Sequence, residues 1–166
     1  MRPRGGMSTS VARAPPRNPH QLLEVATLVA EATDGEDSNL VVAALLHDAI
    51  EDCEVPHTLI ADAFGTDVAD LVAEVTDDKS LEKSERKKRQ IDNAHNRAKL
   101  LKLADKISNL RALVSSPAPD WSVRRRIEYI AWVRKVVQHL RGANAILERQ
   151  FDESARAAEQ SLTPSL

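Results

Sequence analysis

Residues His47-Asp48-Ala49-Ile50-Glu51-Asp52 set an imidazole and three carboxylates at the end of a run of seven apolar residues, Leu40 to Leu46. An uninterrupted apolar run leaves a helix no polar face, so the run is expected to be buried. Carboxylates that follow a buried helix cost several kcal/mol unless something neutralises them, and a divalent cation is the economical solution. On a continuing helix, His47 stacks with Glu51, and Asp48 with Asp52, four residues on. His47 and Asp48 lie about 100° apart around the axis, close enough to share one ion. Glu51 and Asp52 then lie one turn further on, where an activated water or a substrate could sit. An isolated His-Asp pair is more often a satisfied core histidine beside a helix-end carboxylate; the full run of six makes a metal site the stronger reading.

The other chemistry-bearing residues lie downstream. Asp105 falls among Leu100, Leu103, Ala104, Ile107 and Leu110, the apolar stripe of a helix expected from Arg97 to about Val114. A carboxylate there is either salt-bridged or a metal ligand, and spacing alone leaves both open. Arg86-Lys87-Lys88-Arg89, inside the charged segment that begins at Glu82, suits a solvated helix face or a phosphate-rich ligand. The chain has no Gly-rich phosphate loop, no Cys/His zinc spacing and no nucleophile elbow.

These residues need helices to hold them. Aromatics make up only 3% of the chain while Ala, Leu and Val abound, which favours helices over sheets. A first helix is expected over Pro19–Ala32, stopped by Asp34-Gly35, and a central one from a Ser38 cap to about Asp52. His57 to Phe64 reads as a short amphipathic helix ended by Gly65, and Thr66 as the cap of the next, with Val68, Leu71, Val72 and Val75 as its stripe. After Pro117-Ala118-Pro119, Asp120 or Ser122 caps a long helix to Leu140, and residues 144–160 form the last. The whole is expected to be an all-α bundle forming one domain over 19–160. Residues 1–18, rich in Pro, Arg and Gly, are expected to be disordered, and 161–166 to fray.

Global properties narrow the function classes. A net charge of −2 gives no reason to bind a nucleic acid polymer or an anionic membrane. Cys53 is the only cysteine, which excludes an intrachain disulfide. No apolar run is long enough for a membrane span and no signal peptide is evident, so a cytoplasmic location is expected.

Ala43-Ala44-Leu45-Leu46-His47-Asp48-Ala49-Ile50-Glu51-Asp52 resembles the metal-binding motif of the HD superfamily. Further blocks look like the hydrolase domain of the RelA/SpoT family: Phe64-Gly65, Val75-Thr76-Asp77-Asp78-Lys79-Ser80-Leu81, Glu85-Arg86-Lys87, Ala98-Lys99-Leu100 and Lys102-Leu103-Ala104-Asp105-Lys106-Ile107-Ser108-Asn109-Leu110-Arg111. The resemblance is greatest to the small stand-alone enzymes similar to the metazoan SpoT homologue, and it spans roughly Leu22 to Leu147. It implies an HD-domain helical bundle that removes the 3′-pyrophosphate of guanosine tetra- and pentaphosphate with Mn²⁺. On that resemblance His47, Asp48 and Asp105 are metal ligands, and Glu51 and Asp52 position and deprotonate the attacking water. Asn109 contacts the substrate near the metal, Arg86, Lys87 and Lys88 balance phosphate charge, and Tyr129 lines the pocket. Such an ester resists water because it is already anionic; a metal and a nearby carboxylate base answer that. Carboxylate and imidazole ligands suit Mn²⁺ better than a thiolate site would.

Two departures qualify the resemblance. The family's fourth ligand is a histidine three residues before the position of Glu24; here Gln21 stands there, and His20, one residue off, is the candidate. The family's basic N-terminal helix and loop find no match in residues 1–18, which puts guanine recognition and full activity in question. The alternatives are therefore an HD phosphohydrolase for another small nucleotide, a catalytically weakened metal- or nucleotide-binding module, and a buried polar network with no metal.

Overall fold

The computed structural model describes residues 18–48, 53–76 and 92–163, and these contain seven helices and no strand. Helix α1, Pro19–Ala32, opens with a capping box. The Asn18 side chain accepts from the Gln21 N–H, and the Gln21 side chain accepts from the Asn18 N–H. Asn18, expected in the disordered segment, is thus the N-cap, and Pro19 fits a first turn that needs no N–H. At the other end the Gly35 N–H reaches back to the Ala30 carbonyl at 2.8 Å, with φ of +72° at Gly35. That left-handed cap is where glycine is cheapest.

Asp37, rather than Ser38, caps helix α2, Ser38–Leu46: its side chain accepts from the Leu40 N–H at 3.1 Å. A carboxylate accepts from a helix N-terminus more strongly than a hydroxyl does. Helix α2 ends at Leu46, short of Asp52, and His47 and Asp48 lie in a turn although His47 keeps helical dihedrals. The apolar run is not buried all round. Leu40, Ala43 and Ala44 are in the core, Val41, Val42 and Leu46 are partly covered, and Leu45 is 39% exposed.

Helix α3, His57–Phe64, runs as expected from Pro56 to Gly65, where φ is +97°. Helix α4, Thr66–Thr76, follows at once. Thr66 is its first residue rather than its cap, since the Gly65 carbonyl already accepts from the Ala69 N–H. Val68, Leu71 and Val72 are buried on it, with Val75 packed beside them.

Helix α5, Asp92–Ser115, starts earlier than Arg97 and is the axis of the bundle, packing against α1, α2 and α4 and against the two C-terminal helices. Those are α6, Val123–Gln138, capped by Ser122, and α7, Ala145–Ser161, capped by Asn144. Leu103, Ile107 and Leu110 of α5 are fully buried at helical spacing. Truncating any one to Ala would cost about 2–5 kcal/mol. Among the described residues no helix is long and apolar enough to cross a membrane.

Candidate functional site

The end of α2 and the middle of α5 bring His47, Asp48 and Asp105 together. The His47 ring lies 6% exposed, with Nδ1 at 2.6 Å from the Ala44 carbonyl one turn back. A carbonyl can only accept, so Nδ1 carries the proton and a neutral ring turns its Nε2 lone pair outward. That nitrogen faces two carboxylate oxygens, Asp105 Oδ1 at 3.1 Å and Asp48 Oδ1 at 3.3 Å. Three electron-pair donors aimed at one another repel unless a proton or a cation lies among them. A histidine oriented through its other nitrogen by a backbone carbonyl is also the usual arrangement of a metal-ligating imidazole.

The donor types and the two contacts of His47 Nε2 suit a divalent ion. Octahedral bonds of about 2.1 Å place neighbouring donors about 3.0 Å apart, close to both contacts of Nε2. Among the described residues no group of three or more His, Cys, Asp or Glu side chains is arranged as it stands to hold an ion, so the fit rests on the two contacts of Nε2. Glu51 and Asp52, expected one turn further on, lie outside the described residues, as do Arg86, Lys87 and Lys88.

The second oxygen of Asp105 is engaged too. Lys106 Nζ lies 3.6 Å from Asp105 Oδ2 and 4.8 Å from the centroid of the Trp132 ring. The cation–π contact keeps the ammonium against the carboxylate rather than in solvent. Asn109 follows Asp105 by one turn on the same stripe. It is buried, and among the described residues neither its Nδ2 nor the buried Ser108 Oγ beside it has a hydrogen-bond partner. Buried donors are nearly always satisfied, so these two are candidates for contact with a substrate.

A polar cleft of about 190 Å³ opens between α1 and α5. Asn18, His20, Gln21 and Glu24 line one wall, and Ser108, Arg111, Ala112, Ser115 and Ser116 the other. Arg111 Nη1 spans it to Glu24 Oε2 at 3.4 Å. The structure places His20 on the cleft wall. The capping box fixes the first turn of α1 and spends the Gln21 amide oxygen on the Asn18 N–H. Tyr129, expected on a pocket wall, is 1% exposed and lies between Trp121, edge-on with ring centroids 5.3 Å apart, and Trp132, tilted at 5.8 Å. Its ring belongs to the core that backs Lys106.

Sequence reasoning missed Arg97. Its guanidinium donates to both oxygens of Asp37, at 2.7 and 2.8 Å, and to both oxygens of Asp67, at 2.8 Å each. Asn39 Nδ2 also donates to Asp67, at 2.9 Å. The hydrogen bonds from Arg97 hold the Asp37 and Asp67 carboxyls below their ordinary value of 3.8 and push the guanidinium's own pKa up. The only signals were an aspartate at a helix cap and another in a first turn. Nothing local tied them to an arginine 60 and 30 residues away.

A family model described as an HD domain matches residues 17–130. The chain is 46% identical over 140 residues to the guanosine-3′,5′-bis(diphosphate) 3′-pyrophosphohydrolase MESH1 of Drosophila melanogaster, covering 82% of this chain and 78% of the relative. It is 42% identical over 127 residues to the Homo sapiens protein of the same name, covering 75% and 71%. Among solved structures it is similar to a metazoan orthologue of SpoT described as hydrolysing ppGpp and playing a role in starvation responses. The TM-score there is 0.69 at 45% identity, over 87% of this chain and 82% of that one. The Listeria monocytogenes EGD-e protein lmo0812 matches with a TM-score of 0.58 at 32% identity, over 86% and 96%.

Proposed function

The chain belongs to the HD domain family, and on that premise we propose that it is a manganese-dependent hydrolase that removes pyrophosphate from the 3′ position of guanosine tetra- or pentaphosphate. The observation that carries this reading is the His47 ring. Its Nδ1 is committed to the Ala44 carbonyl and its Nε2 is turned on Asp48 and Asp105. The similarity to 3′-pyrophosphohydrolases over most of both chains supports the substrate class.

His47, Asp48 and Asp105 would hold the ion, which when bound neutralises phosphoryl oxygens and makes a water acidic. Lys106 keeps the outer oxygen of Asp105 occupied, which orients the inner one. Glu51 takes the proton of the attacking water, with Asp52 positioning that water. The P–O bond to the ribose 3′ oxygen breaks; the water oxygen ends on pyrophosphate and a proton on the 3′-hydroxyl. Asn109 Nδ2 and Ser108 Oγ donate to the substrate, and the cleft between α1 and α5 receives the nucleotide. Arg86, Lys87 and Lys88 balance phosphate charge.

The test is pyrophosphate release from guanosine tetraphosphate by the purified chain with Mn²⁺, beside Asp48→Ala and Glu51→Ala. Turnover in the wild type, lost in both variants, is the expected result. Metal binding without turnover would make the chain a binding module, and no metal binding would overturn the reading of the three ligands.

A further inference from the structure

We propose that Arg97 is a positioning residue that sets the register between helices α2 and α5, and so the spacing of His47 and Asp48 against Asp105. The inference rests on reading those three side chains as the metal site.

Two segments, each mostly helical, leave the Arg97 clamp and meet again at the site. From Asp37, the cap of α2, ten residues lead to His47, about 15 Å at 1.5 Å per helical residue. From Arg97, eight residues of α5 lead to Asp105, about 12 Å on the same rise. At one end the two are pinned by the two-pronged grip of Arg97 on Asp37. At the other they meet at 3.1 Å through His47 and Asp105. Between those points α2 and α5 touch each other sparingly and are joined mainly through α1 and α4. The same guanidinium grips Asp67 at the start of α4, so the helix that bridges α2 and α5 is pinned at the same point.

Magnitudes decide why this reaches the ligands. A slip of one residue along α2 moves His47 by about 1.5 Å, whereas metal–ligand distances tolerate about 0.2 Å. A planar fork that fills both oxygens of two carboxylates resists such a slip in a way a single point charge does not. Exposed ion pairs usually contribute little to stability, so the main effect of this partly exposed network is expected on geometry.

The test is Mn²⁺ titration by calorimetry of the full chain, wild type against Arg97→Gln and Arg97→Lys, at a temperature where circular dichroism shows each fully folded. Arg97→Gln is expected to bind Mn²⁺ about tenfold more weakly, the lower end of what loss of a metal-supporting contact costs. Arg97→Lys, which can serve one carboxylate at a time, should fall between it and the wild type. Equal affinity in the wild type and Arg97→Gln, whatever happens to the melting temperature, overturns the proposal and leaves the clamp a stabilising contact only. Should Arg97→Gln not fold, Asp67→Asn keeps the grip on Asp37 and is read the same way: a smaller loss of affinity supports the proposal and an unchanged affinity overturns it. A wild type that binds no Mn²⁺ overturns the metal site itself, a result distinct from equal binding by both.

Discussion

His47 Nε2 and Asp105 Oδ1 stand 3.1 Å apart although 58 residues separate them in the chain. The contact closes the site between the end of α2 and the middle of α5. Asp105→Asn keeps the side chain's shape, and its amide can still hydrogen-bond to His47, but it removes a charged ligand. Turnover should fall at least about a hundredfold, since metal stabilisation of transition-state charge amounts to several kcal/mol. Mn²⁺ affinity should fall with it. A variant with full affinity and full turnover would show that Asp105 is only the hydrogen-bond partner of a core histidine.

Glu51 is expected to act on the water rather than hold the ion. Glu51→Gln should therefore leave Mn²⁺ affinity close to that of the wild type while kcat drops about 10²–10⁴-fold, the usual contribution of a positioned base. Parallel calorimetry and pyrophosphate release check this. Loss of metal together with activity would make Glu51 a ligand.

Asn109 presents a buried Nδ2 with no partner among the described residues. Replacing a buried polar group by an apolar one of similar size is nearly neutral when little intramolecular bonding is lost. Asn109→Leu should keep or slightly raise the melting temperature and raise KM for guanosine tetraphosphate by about tenfold, the value of one substrate hydrogen bond of about 1.4 kcal/mol. A large fall in melting temperature with unchanged KM would assign Asn109 to the core.

Acid should probe the Arg97 clamp. Asp37 and Asp67 have folded-state pKa values held below 3.8 by hydrogen bonds from Arg97. A depressed carboxylate stabilises the fold above its unfolded value, and that contribution is lost as pH falls through the folded value. The melting temperature of the wild type should thus exceed that of Arg97→Gln at neutral pH. The gap should narrow between about pH 5 and about pH 3. A gap independent of pH over that range would show that packing of the Arg97 stem, and not its charge, matters.

Local rules read much of this fold from the chain. The spans of α1 and α3 followed from Pro19, the Asp34-Gly35 stop, Pro56 and Gly65, because caps and breakers act over three or four residues and need no partner elsewhere. The apolar stripe of α5 followed from its 3.6-residue period, with the outlying Asp105 visible against it. His47 and Asp48 were legible as a dense cluster of donors at the end of an apolar run. Tertiary structure decided what needed two distant segments at once: that His47 faces Asp105, that His20 opens on a cleft while Gln21 is spent on a cap, and that Tyr129 is walled in by Trp121 and Trp132. It also decided that Arg97 gathers Asp37 and Asp67. The physical reason is reach. Helix propensity and capping are energies of neighbours in sequence, whereas a carboxylate's role as ion-pair partner, cap or ligand depends on which cation or lone pair packing brings within about 3 Å.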